Sequence, residues 1–444
     1  MFWANDDPDK IYRSSKIWNL IASLMVACQS VVILIVITHT IGSVEAGIYT
    51  IGNTYANLFM TIGKYGMRDF HVSDVKREFS FRVYKNSRII TCSIMVVSFM
   101  VSVFVAAMNN GYSSHKTWIL IFLCLYKLPD AFEDVFFGEY QRKGRLDIAA
   151  KALTIRMFAT IGLFMLVVAV FKDLLLASAI TCIVTFLIMI YLLIVTRKYV
   201  FTDGARAGMN DDNVIIQDKN TDLLNNKEEW KKALRLLIIT APLAIVSFLS
   251  IYVNASPRTA IDKYMSDTEQ AIYGYISTPV FVVQTLITSI FNPKIYRISC
   301  IWNEKKIKEL INEIIKLSLF IVGLTAVFMM GTFFVGIPIL SLLYNMDLSI
   351  YKSDLMIMMA GSGLLSFVWL MTCMLIIMRR QKIILAVYVF VSAIAFICSD
   401  MVVKGNGIFG AVIFYLILLA ILGSAFVVEF IIGVITEDKK QRNK

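Results

Sequence analysis

The sequence predicts an all-α polytopic membrane protein with twelve transmembrane helices in two six-helix lobes. Three observations carry that expectation. The 444-residue chain is 58% hydrophobic and only 17% charged, with a mean hydropathy of +0.71, whereas soluble domains carry about 25% charge. A water-soluble enzyme is thereby excluded. Twelve apolar stretches recur along the chain, each long enough to cross a ~30 Å hydrocarbon core at ~1.5 Å per residue. Finally, Lys and Arg fall overwhelmingly on one side of those stretches, as the positive-inside rule requires.

The stretches can be taken in order. Span 1 (17–38) follows MFWANDDPDKIYR, which has acids among its few charges and no small-residue cleavage site, so it is expected to be retained. Span 2 (44–63) runs into a basic segment at 64–88, and span 3 (89–108) reads IITCSIMVVSFMVSVFVAAM. That window is apolar all round, which suits a helix in lipid and not the alternating segments of about 10 residues in a β-barrel. Span 4 (117–137) is the charged one, and spans 5 (153–171) and 6 (174–196) meet at an outer turn holding Lys172. Spans 7 (234–253) and 8 (271–292) flank an expected outer loop at about 254–270. Span 9 (314–337) follows another basic segment, and spans 10 (353–378), 11 (382–400) and 12 (407–434) complete the set.

With the N-terminus inside, 36 of the 43 Lys and Arg lie in inner segments and six lie outside, namely Lys116, Lys172, Arg258, Lys263, Lys352 and Lys404. Lys127, within span 4, is the remaining one. Both termini are therefore expected in the cytoplasm, and the net charge of +11 needs no nucleic acid to explain it. The polar stretch 197–233 divides the chain into an N-terminal lobe (1–196) and a C-terminal lobe (234–444) and reads as a solvated cytoplasmic linker. Its Asp211-Asp212-Asn213 run lacks the surrounding α/β domain that a nucleotide-metal site needs. Glu45-Ala46-Gly47-Ile48-Tyr49 opens span 2 and Glu269-Gln270-Ala271-Ile272-Tyr273 opens span 8, an offset of 224 residues. Matching entry points on either side of a central linker indicate parallel repeats.

Metal or cofactor chemistry has little material. There are three His, no CxxC pair, and seven Cys that lie mostly in apolar stretches and read as small apolar fillers. The informative charges are those inside spans, where each costs ~2.5–3.5 kcal/mol on insertion scales. In YKLPDAFEDVFFGEYQRKGR, Lys127, Asp130 and Asp134 fall within about 60° of one helix face, continued by Gln141, with Glu133 beside them. Lys127 can pair with Asp130, leaving Glu133 or Asp134 as an acid that could titrate or bind a cation; the plainer readings of the same residues are buried packing pairs first and cavity lining second. Pro129 is expected to kink this helix. Arg68, Arg88 and Arg156 stand where an inner vestibule would begin, and guanidinium groups hold phosphate oxygens bidentately, although ordinary positive-inside anchoring predicts cations there too. Asn254, Arg258, Asp262 and Lys263, in YVNASPRTAIDKYM, read either as solvated loop residues or as a cavity gate.

The runs Tyr65-Gly66-Met67-Arg68-Asp69-Phe70-His71-Val72-Ser73-Asp74-Val75 and Glu133-Asp134-Val135-Phe136-Phe137-Gly138-Glu139-Tyr140-Gln141-Arg142-Lys143-Gly144-Arg145-Leu146-Asp147, with Pro257-Arg258-Thr259-Ala260-Ile261-Asp262, resemble Wzx-type polysaccharide flippases. These belong to the multidrug/oligosaccharidyl-lipid/polysaccharide exporter superfamily. The resemblance implies two six-helix bundles in a V around a central cavity, in a bacterial cytoplasmic membrane. It implies movement of an undecaprenyl-diphosphate-linked oligosaccharide from the inner to the outer leaflet, alongside a polysaccharide polymerase and chain-length machinery. Arg68, Lys127, Arg156, Asn254 and Arg258 are then the candidate substrate-binding residues, and Asp130, Glu133 and Asp134 the candidate ion-coupling ones. A cation-coupled multidrug antiporter of the same superfamily is the nearest rival. A membrane polymerase or glycosyltransferase would need a larger extramembrane loop than any outer one here, so no enzyme activity and no cofactor are expected.

Overall fold

A computed structural model describes residues 3, 7–74, 78–201 and 226–442. Residues 202–225, which hold the Asp211-Asp212-Asn213 run and most of the expected linker, lie outside the described residues. Among the described residues all regular structure is helical. The elements are α1 (Pro8–Thr40), α2 (Ser43–Lys64), α3 (Met67–Ser73), α4 (Phe81–Asn110), α5 (Ser114–Tyr126), α6 (Leu128–Arg142), α7 (Leu146–Phe171) and α8 (Leu174–Phe201). There follow α9 (Asn226–Tyr264), α10 (Asp267–Asn303), α11 (Ile307–Gly331), a π-helical turn at Thr332–Gly336, α12 (Ile337–Tyr344), α13 (Lys352–Ile377) and α14 (Gln381–Arg442). All twelve apolar stretches lie on these helices, with span 4 split between α5 and α6 and spans 11 and 12 both on α14. Nine of the described helices are long and apolar enough to cross a membrane.

The boundaries have local causes. Ser80 and Ser113 cap α4 and α5 by accepting the backbone N–H of Val83 and Lys116, and Ser266 forms a capping box with Glu269 at the start of α10. Lys127 separates α5 from α6, because Pro129 two residues on cannot continue the hydrogen-bond ladder. Gly407 (φ 60°, ψ −142°) bends α14 into its two spans, a conformation that only glycine adopts without strain.

The chain forms two compact units, residues 1–41 with 52–248, and residues 42–51 with 249–444. In the first, α1 packs along α7, α5 along α8, and α3 and α4 against α6; in the second, α13 packs against α10, α11 and α14. Large apolar side chains such as Val97, Phe104, Leu187 and Phe334 remain exposed, as a surface facing lipid requires.

The starts of α2 and α10, which carry the segments 45–49 and 269–273, come close within the second unit. A Cβ on Gly47 would sit 1.7 Å from the backbone oxygen of Asp267, and one on Gly274 would sit 2.9 Å from the Thr50 side chain. Of these two contacts, Thr50 with Gly274 is separated by the 224-residue offset, and at both a small residue lets the helices touch.

One expectation is corrected here. The residues expected to form an outer loop at 254–270 are helical nearly throughout, since α9 continues to Tyr264 and α10 starts at Asp267. Pro257 is tolerated inside α9 because the Val253 carbonyl, which proline cannot reach, accepts a hydrogen bond from Ser256 Oγ at 3.1 Å. Asn254 and Arg258 therefore lie within a helix.

Candidate functional site

The first unit holds a cavity of about 130 Å³ with many charged and amide groups in its lining, which comes from α1, α2, α3, α6 and α7 together with Lys127 at the α5–α6 break. Two of the runs that carry the family resemblance grip each other beside it and contribute Arg68, Glu133, Asp134 and Phe137 to its lining. Tyr65 and Gly66 both take left-handed backbone angles (φ 55° and 58°), turning α2 into α3; Leu243 approaches within 3.2 Å of where a Gly66 Cβ would stand. The turn lays α3 against α6. Arg68 donates to Gln141 at 3.0 Å and reaches Asp134 at 3.5 Å. His71, buried and stacked on Tyr84, meets Glu139 at 3.0 Å, while Arg142 pairs with the same carboxylate at 2.7 Å. Asp74 accepts the backbone N–H of Glu78 and the Tyr84 hydroxyl.

Burial lowers the pKa of His71, outweighing the opposing pull of Glu139, so the ring is neutral at pH 7. Burial alone would raise Glu139, but the His71 hydrogen bond and the Arg142 charge overcome it and hold the carboxyl below its ordinary value.

Deeper in the bilayer-crossing part, the charges interlock. Arg156, 1% exposed, bridges Asp130 and Glu133, with Nε 2.9 Å from Glu133. Lys127 stands 3.3 Å from Asp130 and donates to Gln29 at 3.0 Å; Gln29 donates in turn to Tyr126, whose hydroxyl faces Thr160. Fully buried Arg88 pairs with Asp134 at 2.8 Å and donates to the Gly63 carbonyl at the end of α2. Thr91 donates to that same carbonyl. Each carboxylate thus has at least one cation, and each satisfies the rule that a buried charge must be paired.

Lys64 is the exception in sign. It lines the cavity, is half-buried, and has no carboxylate within ion-pairing distance among the described residues. Around the cavity, Lys64, Arg68, Lys127 and Arg156 face Asp130, Glu133 and Asp134, with Arg88 bonded to Asp134 from behind. The cavity therefore carries surplus positive charge.

Of the residues singled out in the sequence, Arg68, Lys127, Asp130, Glu133, Asp134 and Arg156 come together at this one cavity. Asn254 and Arg258 belong to the second unit and line no part of it. There Asn254 donates to the Ser250 carbonyl, and Arg258 donates to Ser277 at 2.5 Å and lies over the Tyr273 and Phe281 rings. Arg88 and Arg156 are both buried, and Arg156 lines the cavity. Their helices begin at Phe81 and Leu146, so Arg88 stands about two turns inside α4 and Arg156 nearly three turns inside α7. Lys64, Asn53 and Asn57, all lining the cavity, were absent from the sequence-derived set. Their spacing on α2 was the available signal.

No protein-family model matches this sequence, and no curated protein matches it. Solved structures do match over nearly the whole length. An inward-facing multidrug resistance MATE family transporter of the MOP superfamily aligns with a TM-score of 0.63 at 14% identity, covering 96% of this chain and 99% of that one. The Vibrio cholerae MATE transporter VcmN in its bent form aligns at 0.57 and 12% identity, covering 97% and 98%. A MOP superfamily transporter from Pyrococcus furiosus, described as having a binding pocket of reverse polarity that suggests a different function, aligns at 0.53 and 15%, covering 98% and 97%. This chain shares its fold with these solved transporters.

Proposed function

We propose that this protein is an alternating-access membrane transporter whose substrate carries an anionic head group, and that it moves an undecaprenyl-diphosphate-linked oligosaccharide from the inner to the outer leaflet. The observation that carries the reading is the surplus cation at the cavity of the first unit, where Lys64 has no ion-pair partner among the described residues. A diphosphate linking sugar to lipid would meet Lys64 and the partly exposed Arg68, while the polyprenyl tail stays in hydrocarbon. Such a head group cannot cross apolar lipid unaided, so the task is passage without covalent chemistry. The reversed pocket polarity described for the Pyrococcus furiosus neighbour makes departure from drug export within this fold reasonable.

The second reading is cation-coupled multidrug antiport, and what favours it is the company of solved MATE transporters. It would use Asp130, Glu133 or Asp134 as the coupling acid. Each of those carboxylates is already held by Lys or Arg, so a coupling cation would have to displace a covalently tethered one.

Proteoliposomes containing a fluorescent short-chain polyprenyl-diphosphate disaccharide separate the two. Leaflet exchange is expected with the wild-type protein and is expected to fall about tenfold in Lys64→Ala; Arg68→Ala should reduce it less, because that guanidinium is partly engaged by Asp134 and Gln141. Proton-driven ethidium uptake, with no competition from the diphosphate, would overturn the proposal in favour of antiport.

A further inference from the structure

On α2, Asn53, Asn57, Met60 and Lys64 follow one another at intervals of four, three and four residues. At about 100° per residue, all four fall within an arc of roughly 60° on one helix face. All four line the cavity of the first unit. At ~1.5 Å rise per residue the stripe extends about 16 Å from Asn53 to Lys64. It has a cation at one end and two amides at the other.

The amides have no evident structural task. Both side chains are half-buried, and neither makes a hydrogen bond with another described residue. Ser30 of α1, lining the same cavity, makes none either. Gln29 contrasts with them, since both ends of its amide are committed to Tyr126 and Lys127. A polar group held at membrane depth costs free energy unless something meets it, so amides without protein partners point to an occupant of the cavity.

The chemistry of that occupant follows from the groups. An Asn side chain offers two donors and a two-lone-pair acceptor without adding charge. Its natural complement is a hydroxyl, which donates and accepts at once. Two such amides one turn apart match neighbouring hydroxyls on a sugar ring. The cavity of about 130 Å³ is below the ~300 Å³ lower end of pockets that bury drug-sized ligands, which favours contact with one ring over an oligosaccharide.

We infer that Asn53 and Asn57 are specificity-determining residues that read the hydroxyls of the sugar ring nearest the anionic group held by Lys64. The inference rests on the proposed lipid-linked sugar substrate and adds which part of the chain recognises the sugar.

Binding to purified full-length protein in nanodiscs tests it with two probes, farnesyl diphosphate and farnesyl diphosphate carrying a single hexose. Asn53→Ala with Asn57→Ala should weaken the glycosylated probe roughly tenfold to a hundredfold, at about tenfold or less per lost hydrogen bond, and leave the bare diphosphate within about twofold. Lys64→Ala should weaken both probes alike. Equal losses on both probes from the alanine pair, or no loss on either, would sink the inference while leaving the anion reading intact; in the latter case the amides merely hold water. A wild-type protein that binds neither diphosphate but binds ethidium would sink the underlying reading as well. If the alanine pair melts early, Asn53→Gln with Asn57→Gln retains the amides but displaces them by a methylene; the same selective loss on the hexose probe is expected, and a non-selective loss refutes.

Discussion

Replacing Arg156 by alanine tests whether the charges of the first unit are an interlocked structure. Arg156 is 1% exposed and serves two carboxylates, Asp130 and Glu133, whose side chains are 13% and 2% exposed. When it is removed, Asp130 keeps Lys127 at 3.3 Å, but Glu133 loses the one ion-pair partner it has among the described residues. Stranding a buried charge costs about 3–5 kcal/mol. At roughly 2–4 °C per kcal/mol for a unit of this size, the low end of that range lowers the melting temperature by about 6–12 °C. A neutral hydrogen bond between membrane helices is worth only ~0.6 kcal/mol on average, or about 1–2 °C, so the two explanations are well separated. Adding Glu133→Gln to Arg156→Ala removes the stranded charge and should recover about 2 kcal/mol, whereas Glu133→Gln alone should cost roughly 1 kcal/mol. A thiol-reactive dye is a suitable reporter, because Cys92, Cys124 and Cys182 are unpaired and buried within the first unit, in a Cys28→Ser background that removes the exposed thiol. An Arg156→Ala melting temperature within about 2 °C of wild type, or a double variant less stable than Arg156→Ala, would refute the reasoning.

Two further outcomes are expected. Gly47→Ala places a methyl 1.7 Å from the Asp267 carbonyl oxygen, a backbone atom that cannot swing aside; it should destabilise the second unit by several kcal/mol or abolish accumulation, as read from detergent-solubilised yield, while Gly323→Ala, which meets nothing, should not. His71 gives a pH dependence. Its folded pKa lies below its ordinary value of 6.5, because burial disfavours the charged ring, so the unfolded chain binds more protons around and below that pH. The stability contributed by the neutral ring is complete above about 6.5 and is lost as pH falls through that region. Melting temperatures between about pH 7 and 5 should therefore fall more steeply for wild type than for His71→Gln, which keeps a donor for Glu139; parallel curves would remove His71 as the cause.

The helical spans and their order were legible because their signal is composition over about 20 residues, which tertiary context cannot reverse. The stripe Lys127–Asp130–Asp134 and the kink at Pro129 were legible for a similar reason, resting on helical geometry and on a missing N–H. What was not legible was burial and pairing. An apolar window ends where charge begins, so Arg88 and Arg156 read as residues at the start of a vestibule, and their burial inside α4 and α7 was not visible. Their partners, Asp134 and Glu133, lie on another helix, and no local pattern reports that pairing. The expected outer loop failed through Pro257 and its polar neighbours, which read as breakers; a Ser hydroxyl repairing the freed carbonyl is invisible to propensity. Asn53, Asn57 and Lys64 were present at helical spacing, but neutral amides in an apolar span carry little weight until a cavity is seen beside them.

The pairing pattern also constrains how a driving force could enter. A carboxylate that takes up a proton or a metal cation from solution must first be without a competing cation, or must release one. Asp130 and Asp134 each have two cations, and Glu133 has one that it shares with Asp130. Protonating Glu133 would leave Arg156 held by Asp130 alone, whereas protonating Asp134 would loosen Arg88 and Arg68 together, and with Arg68 the α3–α6 grip that Gln141 shares. Coupling through Asp134 would thus move a helix contact, and coupling through Glu133 would move little. Asp134→Asn should then weaken both transport and the α3–α6 contact, while Glu133→Gln should leave transport close to wild type. Leaflet exchange measured on the two variants with and without an imposed pH gradient separates the routes: gradient dependence abolished by Glu133→Gln and untouched by Asp134→Asn would show that the order of importance argued from the ion pairs is inverted.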